Sequence, residues 1–272
     1  MMKMKMKKML AMLLAVCLVV QMVLFPCTAE DTAAAETDSL TPATSSNAGD
    51  QDYSTWSSPV YSYLVNTDDG FMRVEYIEDS VVVEYYDSEY NLTAQSEIEC
   101  EMDLFGGFYA GDDAYYLVFG QENQDEDDSL EVIRVVKYSK DWERQADASI
   151  YGSNNITDPF AFGSLRMTEA NGFLYVYTCR AIYTTADGAR HQVNLKFVVR
   201  ESDMEVTVES IGASYCSHSF NQFIIADDEG NLITADHGDA YPRSAFICKF
   251  DDKAGDSAVN GTTTAATQGL IS

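Results

Sequence analysis

Phe105-Gly106-Gly107-Phe108, Phe162-Gly163-Ser164-Leu165 and Phe220-Asn221-Gln222-Phe223 are three versions of one short block, and their leading phenylalanines stand 57 and 58 positions apart. An acidic or glycine-rich turn follows each block: Gly111-Asp112-Asp113, Glu169-Ala170-Asn171-Gly172 and Asp227-Asp228-Glu229-Gly230. An apolar run comes next, at 115–119, 173–177 and 232–235. Self-similarity at a fixed step marks a repeat fold, in which one unit cannot bury its faces alone and stacks on the next.

Further β-type runs fill the intervals. The first copy continues at 130–138 and 144–150, the second at 191–200 and 205–211. The second run of each pair alternates apolar and polar side chains, the period of a half-buried strand. Each copy is therefore predicted to hold four short strands. A shorter copy precedes them, with runs at 61–66, 71–77, 81–86 and 92–98; Glu78-Asp79 alone links its second and third runs. A last copy opens at Phe220 and continues to 244–250, where its outer strand is not visible. Either the segment around 53–58 supplies that strand or the chain is part of a larger ring. No stretch beyond residue 29 shows a convincing helical period.

Four-stranded units of this length resemble the blades of a β-propeller. The resemblance covers about residues 60–250. It implies an all-β fold of four-stranded blades, about four of them, as a closed or an incomplete ring. The Trp-Asp blade ending and the sialidase-type Asp-box are absent from the sequence. A β-sandwich or β-solenoid is the rival, and four strands per step of nearly 58 residues argue against both. The string Ser217-His218-Ser219-Phe220, followed by Asp236-His237-Gly238-Asp239-Ala240-Tyr241-Pro242-Arg243, also resembles a pattern in uncharacterised exported repeat proteins of Gram-positive bacteria. That resemblance implies export and a repeat β fold, and carries no activity with it.

The N-terminus agrees with export. Lys3, Lys5, Lys7 and Lys8 precede an apolar stretch at 9–25 broken only by Gln21, and Cys27-Thr28-Ala29 sets small residues before a cut at Glu30. A signal peptide over 1–29 and a secreted product are expected. The alternative, an uncleaved anchor, would have an apolar stretch at the short end for a bilayer. Cleavage removes four of the 17 basic residues and no acidic one, taking the net charge from −27 to −31. Such a field opposes binding to nucleic acid or to an anionic membrane. The linker at 30–52 is acidic and rich in Ser, Thr and Ala, with Leu40 its one large apolar residue, so it reads as a flexible tether. Residues 253–272 read as a flexible tail or a truncated blade. One domain at 53–252 remains, expected to be monomeric. Its cysteines, Cys100, Cys179, Cys216 and Cys248, allow three disulfide pairings or none, and no CxxC spacing suggests a metal or redox cluster.

In a four-stranded meander, the link to the next unit and the link between strands two and three share one face. That places His191, His218 and His237 together with Arg180, Arg190 and Arg243 on one rim. Loops on one face of a rigid scaffold are where sites are usually built. The densest loop offers Asp236, His237, Asp239, Tyr241 and Arg243. It could hold a metal, move a proton or clamp an anion, or it could be a tight turn capped by its own aspartates. With His218, His191 and Arg180 these residues form the candidate ligand face. Asp125, Asp127 and Asp128 offer a calcium site, although they lack the spacing of a dedicated calcium loop; otherwise they are a solvated acidic hairpin. Tyr183, Tyr215 and Tyr241 near the same rim suit a carbohydrate or a peptide. No Gly-x-Ser-x-Gly elbow and no phosphate-binding glycine loop occur, and no catalytic residue is assigned. The expected function is an exported binding module for a glycan, peptide or surface partner. The alternatives are a secreted hydrolase of glycans or phosphoesters built on Asp236-His237-Asp239, or a truncated structural fragment.

Overall fold

A computed structural model describes residues 40–43, 59–161, 163–210, 219–238, 244–250 and 268–271. The strands form four antiparallel sheets, each a meander of consecutive strands. The first comprises β1 (Ser62–Thr67), β2 (Gly70–Ile77), β3 (Ser80–Asp87) and β4 (Leu92–Glu99). The second comprises β5 (Leu104–Ala110), β6 (Tyr115–Gly120), β7 (Glu131–Tyr138) and β8 (Arg144–Tyr151). The short β9 (Asp158–Pro159) joins β10 (Arg166–Ala170), β11 (Phe173–Ala181), β12 (Gln192–Arg200) and β13 (Glu205–Ser210) in the third. The fourth comprises β14 (Ser219–Ala226), β15 (Leu232–Gly238), β16 (Ser244–Phe250) and β17 (Gln268–Ile271). A single 3-10 turn, Gly152–Asn154, is the one helical element among the described residues. No helix among them is long and apolar enough to cross a membrane.

Three apolar layers lie between successive sheets. Met72, Val74, Val81 and Val83 of the first sheet pack on Phe105, Phe108, Leu117 and Phe119 of the second. The other face of the second sheet gives Tyr116, Val118, Ile133, Val135 and Ile150 to a layer shared with Leu174, Val176, Phe197 and Val199 of the third. Tyr175, Tyr177 and Val198 then meet Ile224, Leu232 and Cys248 of the fourth. This explains why β6 and β11 read as continuous apolar runs: alternate side chains supply opposite layers, so neither face meets water. Trp142 seals the first junction, stacked on Tyr115 with ring centroids 4.5 Å apart and donating from Nε1 to the Tyr85 hydroxyl at 3.0 Å.

The repeated Phe block has a local cause in two of its copies. Phe105 and Phe220 lie in β5 and β14, each the first strand of its sheet. Both strands shift register there, between Phe105 and Gly107 and between Ser219 and Gln222. A bulge of this kind bends a strand and re-aims its side chains. Phe162 lies outside the described residues, and the rest of its block precedes β10 rather than forming part of it. The glycines of the first block make room for a neighbour. Phe160, in the link to the third sheet, sits with its ring against Gly106 and Gly120, where an added Cβ would come within 2.6 and 2.7 Å of ring carbons.

Other expectations need correction. The outer strand of the last sheet is β17, residues 268–271 of the expected tail or truncated blade; the segment around 53–58 lies outside the described residues. Strands β11 and β15 outrun their apolar cores, so Asp236, His237 and Gly238 are paired with Phe246, Ala245 and Ser244 rather than looped. Residues 40–43 of the presumed tether lie against the first sheet. Cys100, Cys179 and Cys248 are free thiols; Cys216 is outside the described residues.

Gly106→Ala is expected to destabilise the fold by about 1–3 kcal/mol, the usual cost of overpacking a core. In Phe160→Ala the same substitution should cost much less, because the clash is gone. Chemical denaturation of both single variants and the double variant measures this coupling; additive losses would separate Phe160 from the glycine window.

Candidate functional site

Of the residues assigned to the candidate ligand face from the sequence, four are described, and two of these, Arg180 and Asp236, are buried rather than open to solvent. Arg180, on β11, is 1% exposed and turns inward. Its Nε donates to the Asn155 carbonyl at 3.1 Å and its Nη1 to the Asn194 carbonyl at 3.1 Å. Burial lowers its pKa to about 10, because a guanidinium is poorly solvated there. The side chain ties the link between the second and third sheets to β12. Asp236 is also buried, at the junction of the third and fourth sheets. It accepts from the Tyr177 hydroxyl at 2.6 Å and from Asn194 Nδ2 at 3.2 Å. Gln222 continues this network, donating to Asn194 Oδ1 at 3.3 Å and accepting from the Ser164 amide at 2.9 Å.

His237 follows Asp236 in the strand, so the two point to opposite faces. His237 is exposed, with its ring 6.3 Å from that of Phe220 and edge-on to it. Asp236 and His237 therefore do not face each other, and Asp239, the expected partner of His237 in proton transfer, lies outside the described residues. His191 is half-buried and pairs with Asp187 at 2.9 Å. The Thr185 hydroxyl, the Ala189 amide and His191 together hold the Asp187 carboxyl down at about 2. His218, Asp239, Tyr241 and Arg243 lie outside the described residues, as does Tyr215.

The acidic run is engaged by the neighbouring sheet. Glu126 accepts from the amide and hydroxyl of Thr184, at 2.9 and 2.7 Å. Asp128 accepts from the Tyr183 hydroxyl at 3.1 Å, and Asp127 caps its own turn through Ser129. Arg190 reaches the Gln124 carbonyl at 2.7 Å and Glu126 at 3.4 Å. Among the described residues no group of three or more His, Cys, Asp or Glu side chains is placed to hold a metal ion, and Asp125, Asp127 and Asp128 form no such group.

The opposite end of the sheets carries an open cleft of about 400 Å³ between the second and third sheets. Its walls are the β5–β6 turn with Asp112 and Asp113, Glu169 near the end of β10, Asn171 and Gly172 of the β10–β11 turn, Glu201 after β12, and Tyr116 and Lys137 from β6 and β7 of the second sheet. Glu169 Oε2 accepts from the Asp112 amide at 2.7 Å, and the Glu169 amide donates to the Tyr109 hydroxyl at 3.2 Å. Lys137 Nζ donates to the Glu201 carbonyl at 2.8 Å. The Glu201 carboxylate has one oxygen, Oε1, buried without a hydrogen-bond partner. Burial, with Glu169 as the nearest like charge, raises the Glu201 pKa to about 7, and Lys137 offsets only part of that. Glu169 is raised in the same direction by burial, against the Asp112 amide and the Tyr116 hydroxyl.

The acidic turns bordering this cleft are visible in the sequence as punctuation of the repeat. Their convergence is not, because Asp112 and Glu169 are 57 positions apart and meet only when neighbouring sheets stack.

Glu201 makes a pH-dependent contribution to stability. Its folded pKa lies above the unfolded value, so the contribution is fully present below about pH 4.5 and is lost as pH rises through about 7. Glu201→Gln should therefore gain stability relative to the parent chain between pH 4.5 and 8, by about 1 kcal/mol for a partly solvated group. Parallel denaturation at pH 4.5, 6 and 8 tests this; a constant difference across that range would reject it.

No protein-family model matches this chain, and a search among curated proteins found no match.

Proposed function

We propose that this chain is an exported binding module whose sheets are propeller-like blades, and that it takes a basic peptide segment in the cleft between the second and third sheets. The blade reading is supported by hydrogen bonds that cross from sheet to sheet at nearly one repeat length. Asp112 to Glu169 spans 57 residues, Ser164 to Gln222 spans 58, Tyr177 to Asp236 spans 59 and Trp142 to Tyr85 spans 57. In the first three of these pairs the offset joins corresponding segments of adjacent sheets, as it would in blades around an axis. Export is supported by the basic and apolar leader and by the small residues that close it.

The observation that carries the ligand reading is the Glu201 carboxylate at the cleft wall, with one oxygen buried and unpartnered. Asp112, Asp113 and Glu169 share the cleft with it, against Lys137 as the cation in the wall. An incoming ammonium or guanidinium would supply donors to those oxygens and relieve their mutual repulsion. A glycan fits less well, because Tyr116, the aromatic ring in the cleft, is 1% exposed and presents no platform for stacking. An anionic ligand meets both the local carboxylates and the overall charge of −27.

The experiment is calorimetric titration of the mature chain with a tri-lysine peptide at 0.15 M salt, where exposed charges are screened beyond about 8 Å. Saturable binding with a Kd of about 0.1 mM is expected at pH 8. Protonation of Glu201 below about pH 7 should weaken it roughly tenfold at pH 5. Glu169→Gln and Glu201→Gln should each weaken binding about tenfold, or 1.4 kcal/mol. Equal affinity in the double variant would locate the peptide elsewhere on the acidic surface and end this reading.

A further inference from the structure

The first sheet buries Met72, Val74, Val81 and Val83 on one face. Its other face carries a cross-strand row in which Leu64 pairs with Arg73, Arg73 with Glu84, and Glu84 with Gln95. Polar side chains on such a face are ordinarily solvated. Glu75 and Glu84 are each 1% exposed, however, and Arg73 forms ion pairs with both. Glu84 also accepts from the Tyr86 hydroxyl at 2.7 Å and from Gln95 Nε2 at 3.0 Å.

Residues 40–43 lie over this row. The Ala43 amide donates to Glu84 Oε1 at 2.5 Å. The Ala43 carbonyl accepts from Arg73 Nη1 at 3.4 Å, and the Thr41 carbonyl accepts from Gln95 Nε2 at 3.4 Å. All three contacts use main-chain groups of the segment and side-chain groups of the sheet. Pro42 stands between them and has no amide hydrogen that would need a partner. The ion cluster holds two carboxylates against one guanidinium, so an acidic segment would be repelled there. Residues 39–49 carry no charge, although the tether around them is acidic. That composition agrees with what the face can accept.

We infer that the outer face of the first sheet is a docking site for an extended, uncharged, proline-containing segment read through its main chain, and that the occupant is the chain's own tether around residues 40–43. The site lies on the first sheet, whereas the acidic cleft lies between the second and third, so the two readings stand or fall separately. Docking makes the tether a competitor for any peptide of the same kind.

The test uses the full mature chain and a fluorescent peptide of residues 39–48, which carries no charged side chain. In the parent chain, hydrogen exchange at the Ala43 amide should be slowed at least tenfold relative to an unstructured peptide. Ala43→Pro removes the hydrogen that Glu84 accepts and leaves the sheet untouched. This variant should bind the added peptide saturably and at least tenfold more tightly than the parent chain does. Adding Glu84→Ala should abolish that binding while the thermal transition persists. Unprotected exchange at Ala43 in the parent, or no gain in peptide binding in Ala43→Pro, would overturn the proposal.

Discussion

Burial of both faces of the two middle sheets is the constraint on which the rest of this structure depends. Tyr116 and Val118 supply one layer while Leu117 and Phe119, from the same strand, supply another. Leu174 and Val176 are likewise separated from Tyr175 and Tyr177. A strand apolar on both sides is stable only with a neighbouring sheet on each side. Stacking therefore recurs along the chain at the repeat length, and equivalent turns of adjacent sheets are brought together in pairs. The acidic cleft is one result. Asp112, in the β5–β6 turn, meets Glu169 near the end of β10, and its amide donates to the Glu169 carboxylate.

The same stacking accounts for the polar residues that look functional in the sequence. A sheet junction holding Asp236 must satisfy that carboxylate, since an unpaired buried charge is costly. Tyr177, Asn194, Gln222 and Ser164 do so as one network across the third and fourth sheets. Arg180 plays a comparable part at the preceding junction by holding the Asn155 carbonyl of the inter-sheet link and the Asn194 carbonyl of β12. The acidic loop around Glu126 and Asp128 fastens onto Thr184 and Tyr183 of the next sheet. Reactive side-chain types serve as joints here because every joint between sheets must also pair its polar atoms.

Charge is unevenly used across the molecule. Asp236 at the last sheet junction and Glu84 on the outer face of the first sheet are matched by hydroxyls, amides or Arg73. Those of the cleft are matched only in part, and both Glu169 and Glu201 hold their protons more tightly than free glutamate does. The cleft leaves an acceptor unmet, whereas the first sheet meets residues 40–43 through their main-chain groups.

The sequence alone determined the class of the fold, the four-strand content of its repeats and nearly all strand positions. These follow from local alternation, turn residues and a fixed step, all of which act within a few tens of residues. It also placed Gly106 beside Phe105 without showing that Phe160 fills the space. Only the tertiary structure decided that β15 continues through Gly238, that residues 268–271 complete the last sheet, and that Asp236 and Arg180 are buried. Strand ends, edge pairing and the burial of single polar groups depend on partners distant in sequence, which local pattern does not encode. The meeting of Glu169 and Glu201 across from Asp112 belongs to this second kind, since it exists only once two sheets have packed.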